Sequence, residues 1–200
     1  MKKLFLFGAI FFASTIVNAQ SIKENFDSNT LEWTECVTDS KQGTAIIDKG
    51  VLKLKTKDNE KVGMTFMESH CYAPINVERP FTVVSHVKLL KLDEENFTGF
   101  VFNYRDGGNY YAMVFNEKFI EFRRYVNNVL VGEITQSIKW QKKRKLVQQW
   151  KLTYDGNILE FFVDEVSIFK VRHMPLEYKG FGFYTYGKQV IEVDDIEFIQ

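Results

Sequence analysis

The sequence predicts an all-β, all-antiparallel fold. Three observations carry that prediction: hairpins succeed one another through the second half, strong helical periodicity is missing, and only 3 prolines interrupt the chain. Phe97 to Tyr104 leads through Arg105 to Asn109, with Gly107-Gly108 as the turn, into Tyr110 to Asn116. Leu152 to Tyr154 leads through Asp155-Gly-Asn157 into Ile158 to Asp164, and Phe181 to Tyr186 leads through Gly187-Lys188 into Val190 to Ile199. Short β-branched and aromatic runs separated by Gly, Asn and Asp are the signature of tight hairpins.

The remaining elements follow in order. Glu24 to Asp27 reads as a first strand, followed by a loop whose Trp33 folds back on the sandwich. Thr44 to Ile47 and Val51 to Lys55 form a hairpin across Asp48-Lys-Gly50, with Leu52 and Leu54 on one side and Lys53 and Lys55 toward water. Gly63 to Glu68 and Phe81 to Leu90 supply two more strands, and the second is partly apolar on both faces, which suits a central position. Asp93 to Asn96 is a charged turn. Ile120 to Val126 and Val129 to Thr135 pair across Asn127-Asn128, residues that tolerate positive φ. Ile138 to Trp150 is the one candidate for a short basic helix. No repeat, low-complexity tract or linker divides the chain, so 20–200 is expected to be a single β-sandwich domain.

Residues 1–19 have the form of an export signal. Lys2 and Lys3 precede an apolar run from Leu4 to Ala13, and Val17-Asn-Ala19 offers the small residues of a cleavage site. That run is too short to span about 30 Å of hydrocarbon, and there is no Cys near the cleavage point to carry a lipid. The expected location is therefore secreted or periplasmic, without a membrane span. The chain holds 26 Lys+Arg and 26 Asp+Glu; losing Lys2 and Lys3 leaves 24 against 26, a charge of −2. Such a balance gives no general attraction to nucleic acid. In an exported chain Cys36 and Cys71 predict one disulfide, worth about 3–4 kcal/mol on the chain-entropy account, the alternative being two buried thiols.

Several segments, in this order, resemble a known group. They are Asn25-Phe-Asp27 with Trp33, Gly99-Phe-Val-Phe102, Asn109 to Phe115, Trp150 to Asn157, Glu160 to Glu165, Gly180-Phe-Gly-Phe183 and Val193 to Glu197. Together they resemble the concanavalin A-like lectin/glucanase jelly rolls of the laminin-G-like and DUF1080-like kind, known from exported bacterial proteins. The resemblance covers nearly all of 20–200. It implies a two-sheet jelly-roll sandwich whose first and last strands pair, placing Phe26 near Ile196. It leaves function open among sugar-binding modules and glycosidases.

Chemistry-bearing patterns are sparse. Glycosidases need two carboxylates flanking the scissile bond, and the Glu-x-Asp-x-x-Glu strand of the glucanase branch is absent. Glu192-Val-Asp-Asp-Ile-Glu197 is the nearest acidic alternation, in a strand that reads as structural. His70, His86 and His173 lack a ligand spacing. No cofactor is expected, with a structural calcium held by Asp106, Asn109, Asp194 and Asp195 as the one exception implied by laminin-G-like relatives. No nucleophile elbow or phosphate loop occurs. The basic run Lys139 to Lys145 reads as a solvated crossover or, with Trp140, as a contact for an acidic glycan, lipopolysaccharide or protein.

The strongest candidate site is an aromatic and polar sheet face. If the Phe faces fill the core, Asn103, Arg105, Tyr184 and Tyr186 fall outward, joined by Tyr111 (or Tyr110) and Arg123 (or Arg124). Tyrosine offers sugar C–H faces an apolar platform, and Asn and Arg donate to hydroxyls or carboxylates. The sequence thus reads as an exported, non-catalytic module that binds glycan. The alternatives are a glycoside hydrolase or lyase of DUF1080-like type, and a protein-binding inhibitor or immunity protein.

Overall fold

The computed structural model describes residues 20–38, 42–57, 66–90, 92, 94–140, 145–172 and 175–200. Residues 1–19, read above as an export signal, together with Asp93, His173, 63–65 of the expected strand and 141–144 of the basic run, lie outside them. All regular structure in the described residues is β. The strands are β1 (Ser21–Glu24), β2 (Cys36–Val37), β3 (Gly43–Asp48), β4 (Val51–Thr56), β5 (Phe66–Tyr72), β6 (Phe81–Leu89), β7 (Phe97–Asp106) and β8 (Asn109–Phe115). There follow β9 (Phe119–Val126), β10 (Val129–Ser137), β11 (Val147–Tyr154), β12 (Ile158–Val163), β13 (Val166–Arg172), β14 (Gly180–Tyr186) and β15 (Val190–Ile199).

They build two antiparallel sheets. The nine-stranded sheet runs β13-β12-β11-β6-β15-β4-β3-β2, with β1 also on β15, and the six-stranded sheet runs β10-β9-β8-β7-β14-β5. Glu24 pairs with Ile196, so first and last strands meet as the resemblance implies, and Phe26 is buried just beyond. β6 is central, between β11 and β15. Chain-distant neighbours such as β7 beside β14 and β6 beside β15 make this a jelly-roll sandwich and not a meander.

The core lies between the sheets. Trp150, Phe100, Phe115, Phe161, Phe183 and Phe198 are among its fully buried side chains. Phe100 meets Trp150 and Phe161 edge-on, at centroid distances of 5.7 and 5.5 Å, the arrangement that ring quadrupoles favour. Turn chemistry fixes the hairpin registers. Asn127 and Asn128 adopt φ of 51° and 64°, and Lys49 and Gly50 adopt 53° and 75°, the paired left-handed values of the hairpin turn that matches strand twist.

Several expectations change. Phe181 to Tyr186 and Val190 to Ile199 do not form a hairpin: β14 pairs with β5 and β7 in the six-stranded sheet, whereas β15 pairs with β1, β4 and β6 in the other. Among the described residues of 138–150 there is no helix: 138–140 is irregular, and β11 begins at Val147. Trp140 is an anchor, packing on Phe115 and donating to the Glu117 carbonyl at 2.8 Å. β5 runs to Tyr72, beyond the expected end at Glu68. β13 escaped the sequence because its turn, Asp164-Glu165, lacks glycine, though both residues take positive φ. The disulfide is not formed: Cys36 and Cys71 are free. Cys71 on β5 is buried in the core, whereas Cys36 is exposed on β2 of the other sheet, its thiol against Met67 Sδ at 3.3 Å. The oxygens considered for calcium are also apart. Asp106 and Asn109 bond each other at the β7–β8 turn, and Asp195 on β15 pairs with Lys23 and His86.

Candidate functional site

The outer face of the six-stranded sheet carries a second hydrophobic cluster. Val101, Ala112 and Val114 are small, so the rings of Tyr104, Tyr110 and Tyr184 lie down over them, with Phe97, Tyr125 and Tyr186 packed around. Gly182 in β14 keeps this layer close, because a Cβ there would stand 2.1 Å from the Ser69 carbonyl oxygen. His70, Tyr104, Tyr110 and Tyr125 form a stacked row, with successive centroids 3.9, 5.9 and 4.8 Å apart. Rings stacked in this way cover one another's faces, so the middle of the row presents edges and hydroxyls. Phe66 is 53% exposed and stacks on Tyr184, leaving its outer face open.

Above these rings lies a depression of about 560 Å³, lined by Phe66, Phe97, Tyr110, Arg123, Tyr184, Tyr186 and their neighbours. The Tyr184 and Tyr110 rings are buried, and burial pushes both phenols far above their ordinary value. Among the described residues, the hydroxyls of Tyr110, Tyr125, Tyr184 and Tyr186 have no hydrogen-bond partner, yet none is a sealed, unsatisfied group. All four residues line the depression. Arg123 reaches among them, its guanidinium 4.9 Å from the Phe97 ring centroid and its Nε donating to Glu121 at 2.8 Å. Glu133 stands 3.8 Å from the same Nε. Burial raises the Glu121 carboxyl against the pull of Arg123.

Glu68 is a second desolvated acid on this face. Burial raises its carboxyl, opposed by a hydrogen bond from the Tyr104 hydroxyl at 2.7 Å, and its Oε2 is buried without a partner. The stacked His70 is pushed down, also by burial. Glu68 and Glu121 are four inter-strand steps apart, about 19 Å at ordinary spacing. That is far beyond the roughly 5–9.5 Å separating the carboxylates of a glycosidase.

The predicted residues divide between two places. Arg123, Tyr184 and Tyr186 share the depression, and Tyr110 takes the outward place assigned to Tyr111. Tyr111 instead packs inward between Phe102 and Phe122, at 6.0 and 5.5 Å. It sits opposite Phe102 in the ladder and so shares its face. Asn103 is also turned from the face. Its φ is 49° where the β7 register breaks, and its buried side chain accepts the backbone N–H groups of Glu177 and Tyr178 at 2.6 and 2.8 Å. The bulge reverses the alternation and brings Tyr104 outward. Arg105 lies at a notch past this bulge, its guanidinium 5.8 Å from the Tyr178 ring.

Sequence reasoning missed Phe66, Glu68, His70, Tyr104 and Tyr125. The alternation Phe66, Glu68, His70, Tyr72 was available, and starting the strand at Phe66 would have exposed it.

This sandwich, with an aromatic outer sheet face, has the concanavalin A-like jelly-roll fold. No protein-family model matches the chain, and no curated protein matches it. Among solved structures it is similar to the carbohydrate recognition domain of Emp47p, with TM-score 0.61 and 14% identity over 89% of this chain and 93% of the other. It is similar to a mixed linkage glucan GH16 protein of Bacteroides ovatus in complex with a G4G4G3G product, with TM-score 0.59 and 12% identity over 88% and 98%. The GlcNAcα1-4Gal releasing endo-β-galactosidase of Clostridium perfringens gives TM-score 0.60 and 10% identity over 90% of this chain, which spans 62% of that enzyme.

Proposed function

We propose that this is an exported saccharide-binding domain, acting outside the cytoplasm once residues 1–19 are removed, and that its ligand lies in the depression over β14, β7, β8 and β9. One observation supports the reading: four tyrosines whose hydroxyls lack intramolecular partners line one depression of about 560 Å³. Hydroxyl groups on rings packed against the sheet, two buried and two partly buried, meet a polyhydroxylated ligand with little loss of side-chain entropy, while Phe66 and Phe97 receive its C–H faces. The likeness to a carbohydrate recognition domain and to glycan-processing enzymes supports the same choice of ligand. The test is a glycan array and thermal-shift screen of the purified protein, with and without calcium. Binding that disappears in Tyr184→Ala and Tyr186→Ala is the expected result. Silence across polysaccharides, together with a co-purifying protein, would move the assignment to a protein-binding inhibitor.

A hydrolase is the second reading, favoured by the desolvated Glu121 and by Glu133 on the same guanidinium. It predicts reducing-sugar release that Glu121→Gln abolishes without loss of binding.

A further inference from the structure

We infer that the notch beside the depression is an anion subsite, so that the saccharide bound here carries a carboxylate or sulfate group. The inference rests on the saccharide reading above and narrows it. The notch holds about 210 Å³ and is lined by Arg105, Arg124, Tyr111, Tyr178, Asn109 and Glu177; Tyr110 and Tyr125 line it and the depression alike. Those two residues border both spaces, while Tyr111 and Arg124, the next pair in the ladder, face the other side of the sheet, so a ligand joining the two spaces turns around this end of β8 and β9.

The arginines set the chemistry. Arg123 in the depression is committed to Glu121 and Glu133. Arg105 and Arg124 are not so held. Each rests its guanidinium over an aromatic ring, Tyr178 and Tyr111 respectively, at 5.8 Å. Stacking occupies the flat face of a guanidinium and leaves its in-plane N–H edge free for a bidentate acceptor. Arg124 has no ion pair among the described residues, and that of Arg105 is a 3.7 Å approach to Asp106, with both side chains more than half exposed. Asp106 accepts from Asn109 and the Gly108 N–H through Oδ1, which fixes its carboxylate in the turn, while its Oδ2 stays 3.7 Å from the Arg105 Nε. Glu177 is the opposing carboxylate in the notch, and among the described residues it forms no ion pair with either arginine. Two arginines lining one small space are thus available to an oxyanion. A neutral sugar would leave them unused.

The test compares matched ligands on the purified protein by calorimetry at low salt. Oligogalacturonate is set against its methyl ester, and κ-carrageenan oligosaccharide against its desulfated form, so that only the charge differs. At least one acidic ligand should bind about tenfold tighter than its neutral counterpart, the worth of one charge-assisted hydrogen bond, and the preference should shrink as salt rises. A uronate preference identifies carboxylate, and a carrageenan preference identifies sulfate. Arg105→Gln and Arg124→Gln should each remove most of the preference while leaving neutral affinity and melting temperature in place, and Glu177→Gln should increase it. Neutral ligands bound as well as acidic ones would overturn the anion subsite and leave the saccharide reading standing. Failure of both classes to bind would overturn both. Arginine variants that weaken acidic and neutral ligands equally would also overturn the subsite.

Discussion

The outer faces of the two sheets obey the same alternation and have opposite characters. On the nine-stranded sheet, outward residues pair off: Glu192 bridges Lys53 and Lys88, Asp195 holds Lys23 and His86, and Lys170 meets Glu160. These charges satisfy one another at the water boundary. On the six-stranded sheet the outward positions hold tyrosines, a desolvated Glu68, and the Arg123–Glu121–Glu133 group. The lesson is where unsatisfied chemistry is kept. A face of exposed, mutually paired ions needs no partner, whereas buried rings with free hydroxyls are arranged for one.

Truncation should separate the faces most strongly. Tyr184→Ala removes a ring that is only 5% exposed and should cost about 2–4 kcal/mol of stability, in line with large-to-small changes at buried sites. It should also abolish saccharide binding. Glu192→Ala, on the opposite face, should cost under about 1 kcal/mol and leave binding unchanged. Chemical denaturation and calorimetry of the two variants check this, and equal costs would erase the contrast.

Titration should sharpen it, because the faces respond to pH in opposite directions. Glu68 and Glu121 have carboxyls raised above the ordinary 4.5, in both cases mainly by burial. Each binds its proton more tightly in the folded state, so its contribution is full below pH 4.5 and is lost as pH rises through the folded value. Glu192 is lowered by hydrogen bonds from Lys88 and Lys53. For Asp195, burial acts upward but is outweighed by bonds from Lys23 and His86, which leave the carboxyl lowered. Stability from these two is present above their ordinary values of 4.5 and 3.8 and is lost as pH falls below them. Melting curves of Glu68→Gln should show a weaker decline above pH 4.5, and those of Glu192→Gln a weaker decline in acid. The reverse assignment would mean that the faces had been confused.

The smallest effect expected is none. Since the cysteines sit on different sheets and are free, a reductant should not move the melting temperature, and alkylation should label Cys36 without prior reduction. A disulfide would instead give a fall worth about 2–4 kcal/mol on reduction.

Much of this molecule was legible in its residues. Alternation and turn chemistry place four hairpins, β3–β4, β7–β8, β9–β10 and β11–β12, because both act over a few neighbours: Leu52 and Leu54 against Lys53 and Lys55, or Asn127-Asn128 between two arms. The resemblance added the pairing of first and last strands. The candidate face was read in part. Tyr184, Tyr186 and Arg123 lie where alternation puts them; Tyr111 follows alternation inward with Phe102, leaving Tyr110 outward, and Asn103 departs from it because of the bulge after Phe102.

By itself, then, the sequence determined the all-β class, the main hairpins and the supply of tyrosine and arginine, all consequences of short-range periodicity. Tertiary structure alone decided which sheet each strand joined, that Glu68 and Tyr104 would meet from chain-distant strands, and that Tyr110 and Tyr125 would stand between two cavities. Those outcomes depend on register across the sheet and on burial, and both are set by partners far away in the chain.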